Sequence, residues 1–315
     1  MSKRLLTIYF VLFASAITAS VANAQSQALI DRFEERTFRY TGGKYKDAEI
    51  KYRLHVPENR RHGKKYPLIV HLHGIGEAGT DNRHSLLYLD SILPLMTGPG
   101  SLPFFLLVLQ CPPETPGWAF NRSTKDGTLD VLVAAIEHVI AENPVDKQRI
   151  TATGVSSGGW GTWALALEHP DLLAGIVPTA CGAPSQLSKM AALRQTPVWA
   201  IINKGDIDPS SLQMAKHIIN RSGGSMAITE AVASGHNAWT PAMEQYKCFR
   251  WMLAQKRGSW FSPPPGTILN KPHPLLLALF MYVIPFSIVL FLTWGMLCES
   301  TATAFQSVRQ WISND

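Results

Sequence analysis

Phe104–Leu109 is apolar at every position. A strand with this pattern is covered on both faces, so the sheet it joins is mostly parallel and clothed by helices. The rest of the chain fits that frame. Ala48–Val56 alternates as a strand, and Tyr66–Leu72, Arg149–Val155, Ala174–Thr179, Pro197–Ile202 and Ser225–Val232 read as further strands. Between them the spacing predicts helices. Asp126–Glu142 has apolar residues at helical intervals and stops at Asn143-Pro144. Gly158–Glu168, Ser210–Asn220 and Pro241–Gln255 are the others. Strands alternating with helices define an α/β chain with helices on both faces of the sheet.

The two ends are of a different kind. Lys3 and Arg4 precede an apolar stretch, and Ala22-Asn23-Ala24 supplies a small-x-small cleavage site. Residues 1–24 therefore read as a signal peptide, and residues 25–260 as the catalytic domain. Residues 261–274 hold five prolines and read as a semi-rigid linker. Leu275–Leu297 contains no charged residue and is long enough for a transmembrane helix, with Pro285 near its middle. Residues 298–315 form a short tail. The expected location is extracytoplasmic, periplasmic or at the cell surface, with the C-terminal helix in the membrane. Flanking charges do not fix its orientation.

Of the 29 basic and 23 acidic residues, four basic and two acidic ones lie in the leader and the tail. The central part is thus only mildly basic and has no Arg/Lys stripe, so nucleic acid is not an expected partner. Cys111, Cys181 and Cys248 lack metal-ligand spacing. One disulfide or buried free thiols are both open. His71-x-His73 has no third ligand at suitable spacing, so no metal is expected, and no cofactor is implied.

The chemistry concentrates at Gly154-Val155-Ser156-Ser157-Gly158, between a predicted strand and a predicted helix. A sharp turn there lifts the Ser156 hydroxyl above the sheet and leaves the Ser157 N–H free for an oxyanion. Ser157 is the competing nucleophile but is off the pattern's centre. A serine needs a base and the base an orienter. His236, in a loop after the last strand, is the candidate base ahead of His169 and His217. Asp206, beyond strand Pro197–Ile202, is the candidate acid. Asp208 is its rival, and Asp171 reads as a cap. The glycine-flanked Ile75 N–H, just after strand Tyr66–Leu72, is the second oxyanion donor. Trp118, Trp160 and Trp239 are candidates for lining the substrate site, with core packing as the alternative. Trp163 and Trp199 are expected in the core.

Several motifs occur together and in order: His73-Gly74-x-Gly76-Glu77, Gln110-Cys111-Pro112, Val145-Asp146, Gly154-x-Ser156-x-Gly158-Gly159-Trp160-Gly161-Thr162-Trp163, Pro197-Val198-Trp199 and Gly235-His236-Asn237-Ala238-Trp239-Thr240. Over roughly Ala48 to Gln255 the chain resembles secreted α/β-hydrolase esterases of the phospholipase/carboxylesterase, dienelactone-hydrolase-like and prolyl-oligopeptidase-like group. Polyhydroxybutyrate depolymerases and feruloyl esterases are neighbours. The resemblance implies the α/β-hydrolase fold and a Ser156-Asp206-His236 triad acting on a small-molecule or polymer-linked ester. The family usually carries His-Gly-x-x-Asp before the acid and Met after the serine; this chain has Ile202-Asn203-Lys204-Gly205-Asp206 and Ser157. The rival functions are a small serine peptidase of the prolyl-oligopeptidase type and a membrane-tethered binding protein without catalysis. No propeller-like segment is read before the catalytic part, and the Ser-Asp-His order speaks for chemistry.

Overall fold

The computed structural model of the protein describes residues 27–43, 45–111, 117–118, 128–232, 235–245 and 247–259. The expected signal peptide, the expected linker and the candidate membrane segment Leu275–Leu297 lie outside them. Among the described residues no helix is long and apolar enough to cross a membrane.

Eight strands form one sheet: β1 (Glu34–Gly42), β2 (Tyr45–His55), β3 (Tyr66–Leu72), β4 (Phe105–Leu109), β5 (Val145–Val155), β6 (Gly175–Thr179), β7 (Val198–Asn203) and β8 (Met226–Ala231). Their order across the sheet is β1-β2-β4-β3-β5-β6-β7-β8. The β1–β2 and β2–β4 pairs are antiparallel, and every later pair is parallel. Side chains alternate across the pleat, so one strand feeds two cores. Leu68, Val70 and Leu72 of β3 pack in one core with Leu132, Ile136 and Val139 of helix α1 (Thr128–Glu142). Trp163 and Leu165 of α2 (Ser157–Glu168) and Leu212 and Ile219 of α3 (Ser210–Arg221) join the same core. Ile69 faces the other core with Trp199, Trp239 and Phe249. Trp239 opens α4 (Trp239–Glu244), and Phe249 belongs to α5 (Cys248–Ala254).

Two sequence expectations change. β1 is a strand that the alternation pattern did not mark. Of its nine residues only Phe38 is buried, so its hydrophobic signal is too thin to stand out. The single last helix expected over Pro241–Gln255 is two, because Lys247 takes a left-handed φ of 52°, which a continuous helix cannot contain. Cys181 and Cys248 are buried free thiols, and burial raises the pKa of both.

Candidate active site

Parallel strands deliver their loops to one edge of the sheet, outside their C-terminal ends. β3 runs into a 3-10 turn at Ile75–Glu77, β5 into Ser156, β7 into the Asp206 loop and β8 into the His236 loop. Sequence positions more than 150 residues apart thereby meet in one cleft of about 370 Å³, lined by Gly74, Ile75, Glu77, Tyr88, Ser156 and His236 among others.

Ser156 is half-buried at the mouth of α2, with φ 55° and ψ −114°. A residue with a side chain pays about 1–3 kcal/mol to hold such a backbone. The surroundings enforce it. Ser156 N–H donates to the Thr179 carbonyl at 2.9 Å, and Trp160 N–H donates to the Ser156 carbonyl at 3.1 Å. The flanking glycines are required by close approach. A Cβ on Gly154 would lie 2.3 Å from the Gly158 carbonyl oxygen, and one on Gly158 would lie 1.9 Å from that of Leu72. As the first residue of α2, Ser157 offers an N–H that has no acceptor within the helix. The Ser157 side chain is buried and does not line the cleft, which sets it apart from the half-buried Ser156.

His236 is exposed on its loop, and its Nδ1 lies 2.8 Å and 3.1 Å from the two oxygens of Asp206. A carboxylate can only accept, so Nδ1 carries the hydrogen and Nε2 keeps its lone pair for a substrate-side proton. The neighbouring Asp208 does not share this role. Its Oδ1 accepts the N–H and hydroxyl of Ser210, which caps the start of α3 and holds the Asp208 pKa below the usual carboxylate value.

Two anchors escaped the sequence reading. Asn203, fully buried at the end of β7, donates from Nδ2 to the Gly235 carbonyl at 2.7 Å and so ties the acid-bearing strand to the His236 loop. Gln110, at the end of β4, donates to the Glu77 carbonyl and the Asp81 carboxylate and accepts the Asn82 N–H. It thereby fixes the turn that carries Ile75. The resemblance had marked Gln110 without a role, whereas nothing local distinguished Asn203.

His73 serves as a strut between backbone segments. Its Nδ1 donates to the Gly74 carbonyl at 2.6 Å, and its Nε2 accepts the Cys111 N–H at 2.9 Å. Burial lowers its pKa to about 4, against the Gly74 bond, which favours the charged form. Burial lowers that of His71 to about 3, with a smaller contribution from the nearby His73. Glu77 is half-buried at the cleft wall. Burial raises its pKa, and the Gly74 N–H bond opposes that rise.

The three candidate tryptophans part company. Trp239 lines the cleft but is 1% exposed, and its Nε1 donates to the Tyr88 carbonyl at 2.5 Å. Trp118 is buried in the first core and donates to the His73 carbonyl at 3.0 Å. Trp160 packs at the edge of that core. Neither Trp118 nor Trp160 is among the residues lining the cleft.

The sheet order and the loops gathered at its edge define an α/β-hydrolase. Comparison with known proteins agrees with the resemblance to α/β-hydrolase esterases. A model of the prolyl oligopeptidase family matches residues 117–185, the stretch containing the serine turn and α2. The protein described as "Putative esterase NocK" from Nocardia uniformis subsp. tsuyamanensis is 30% identical over 172 residues, which is 50% of this chain and 45% of that one. This chain therefore spans about half the length of the curated relative it matches. Among solved structures, a thermostable esterase is 29% identical with a TM-score of 0.65, over 73% of this chain and 64% of that chain. A ferulic acid esterase from Anaeromyces mucronatus shares the fold at 16% identity, with a TM-score of 0.51 over 71% of this chain and 90% of the other.

Proposed function

We propose that the chain is a carboxylic ester hydrolase that works through an acyl-enzyme. The observation that carries this reading is one cleft lined by both Ser156 and His236, with Asp206 against the far nitrogen of the imidazole. Ser156 Oγ attacks the ester carbonyl while His236 Nε2 takes its proton. The negative charge that develops on the carbonyl oxygen is met by the N–H groups of Ile75 and Ser157. His236 then gives the proton to the departing alkoxide, and an ester bond to Ser156 remains. Water attacks that bond by the reverse proton route and releases the acid. Asp206 fixes the tautomer of His236 and balances the charge that the ring acquires.

The test is labelling of the purified protein by a fluorophosphonate probe, together with hydrolysis of p-nitrophenyl acetate. Ser156→Ala should abolish both while the circular dichroism spectrum is unchanged. Loss of the nucleophile in such a unit costs on the order of 10⁶ in turnover. A variant that keeps a tenth of the wild-type rate would overturn the assignment. The match to the prolyl oligopeptidase family favours peptide cleavage as a second reading. Faster turnover of a chromogenic peptide anilide than of any ester would select it.

We also infer that Leu275–Leu297 holds the catalytic domain at a membrane, on its extracytoplasmic side. The support is its charge-free length beside a cleavable-looking leader. Truncation after Gly258 should release active protein into the soluble fraction. Full-length protein found in that fraction would exclude the anchor.

A further inference from the structure

Tyr88 has φ 67°, a left-handed backbone in a bulky residue. Such residues avoid this region unless the structure around them demands it, and these exceptions gather at ligand clamps. Here the demand comes from Trp239. Its indole N–H donates to the Tyr88 carbonyl, and its ring is itself wedged between His71, at 4.5 Å, and Phe249, at 6.1 Å. The Tyr88 side chain is 57% exposed, on the wall of the cleft that holds Ser156 and His236. Ile75, 59% exposed, stands on the same cleft, and Val155 completes its apolar lining. Leu87, 42% exposed, borders an adjoining crevice that shares Glu77, Tyr88, Val155 and Trp239 with the cleft. An exposed apolar cluster beside a reactive centre marks a surface that a ligand covers. No Lys or Arg lines the cleft among the described residues, and the one carboxylate there is Glu77. A substituent that carries its own negative charge would meet repulsion from it, with no cation to offset that.

We propose that Tyr88 is the specificity-determining residue of this cleft, held in place by Trp239 so that its ring stacks on an uncharged aromatic group of the ester. This rests on the ester-hydrolase reading and deepens it. Trp239 is then a positioning residue. With 1% of its surface exposed it offers a substrate little face, and its contribution is to aim Tyr88. The aromatic group can belong to either side of the ester, and two substrate series tell the sides apart.

The experiment measures kcat/KM for p-nitrophenyl phenylacetate against p-nitrophenyl acetate, and for benzyl acetate against methyl acetate, whose leaving alcohols are of similar acidity. The readout is the ratio within each series. Wild-type protein should favour the aromatic member at least tenfold in one of them. That series names the side of the ester concerned. Tyr88→Gly accepts the left-handed backbone and removes the ring, so it should bring the ratio to within about threefold of unity. Tyr88→Asn, which also tolerates this backbone, should do the same and guards against one variant failing to fold. Tyr88→Phe should keep the wild-type ratio. Trp239→Phe keeps a ring but loses the N–H donor, and should lower the ratio through KM. A ratio that Tyr88→Gly and Tyr88→Asn leave unchanged overturns the proposal, as does a wild-type ratio near unity in both series. Wild-type protein that hydrolyses no ester at all overturns the underlying reading instead, and this proposal with it.

Discussion

Two carboxylates, two positions apart on one loop, meet different partners. Asp206 is 16% exposed at its side chain and faces His236, while Asp208 turns to Ser210 at the start of α3. Asp206→Asn should therefore lower turnover by several orders of magnitude, because the amide favours the wrong imidazole tautomer. Asp208→Asn should leave turnover within a few-fold and cost at most about 1 kcal/mol of stability, the value of a helix cap. Steady-state kinetics and urea unfolding on both variants check this, and the reverse ranking would move the acid to Asp208. Sequence ranked Asp206 ahead of Asp208 by position alone, since both follow β7 within reach of a loop. What separates them is which one the His236 loop folds onto, and Asn203 determines that loop's path through the Gly235 carbonyl.

Among the elements, the strand–turn–helix formed by β5, Ser156 and α2 is the most tightly built. Its geometry depends on the absence of side chains where α2 crosses the ends of β3 and β5. Gly158→Ala would place a methyl group 1.9 Å from the Leu72 carbonyl oxygen, which is backbone and cannot rotate away. The variant should lose roughly 3 kcal/mol of stability or retain little soluble protein. Gly76→Ala, where a Cβ meets nothing within 4 Å, should be well tolerated in the fold. Urea midpoints for the two variants provide the comparison. Equal midpoints would mean that α2 can shift away from β3, against the contacts seen here.

At the scale of the whole molecule, the sheet encloses histidines that must stay neutral. His71 and His73 have folded-state pKa values of about 3 and about 4, against an ordinary 6.5. Burial pushes the His55 value down as well. Because the folded values are depressed, the unfolded chain binds more protons between these limits. Stability is complete above pH 6.5 and is lost as pH falls toward 4. Each of the first two histidines removes about 2 kcal/mol between pH 7.5 and pH 5 by linkage. Unfolding free energy from urea titrations should drop accordingly, and His71→Phe should shrink that drop by about 2 kcal/mol. A drop of the same size in the variant would place the acid sensitivity elsewhere.

Local chemistry sufficed for much of this. Alternation located β2, and branched and apolar runs located β3 to β8 to within a few residues, because buried strands leave a dense signal. Helical spacing located α1, α2 and α3. The serine turn was legible because its glycines are steric necessities of one short segment, and His236 because its loop follows the last strand. β1 was not legible, since its stability comes from pairing with β2 more than from burial of its own residues. The break at Lys247 was not legible either, as a left-handed residue leaves no periodic trace. Tertiary structure alone decided which aromatic residue faces the cleft. Sequence proposed three tryptophans, and two of them pack away from it. The third spends its N–H on Tyr88, whose exposure follows from a contact 151 positions along the chain. Composition sets which side chains can bury, but the order of strands across the sheet sets which of them are left at its edge.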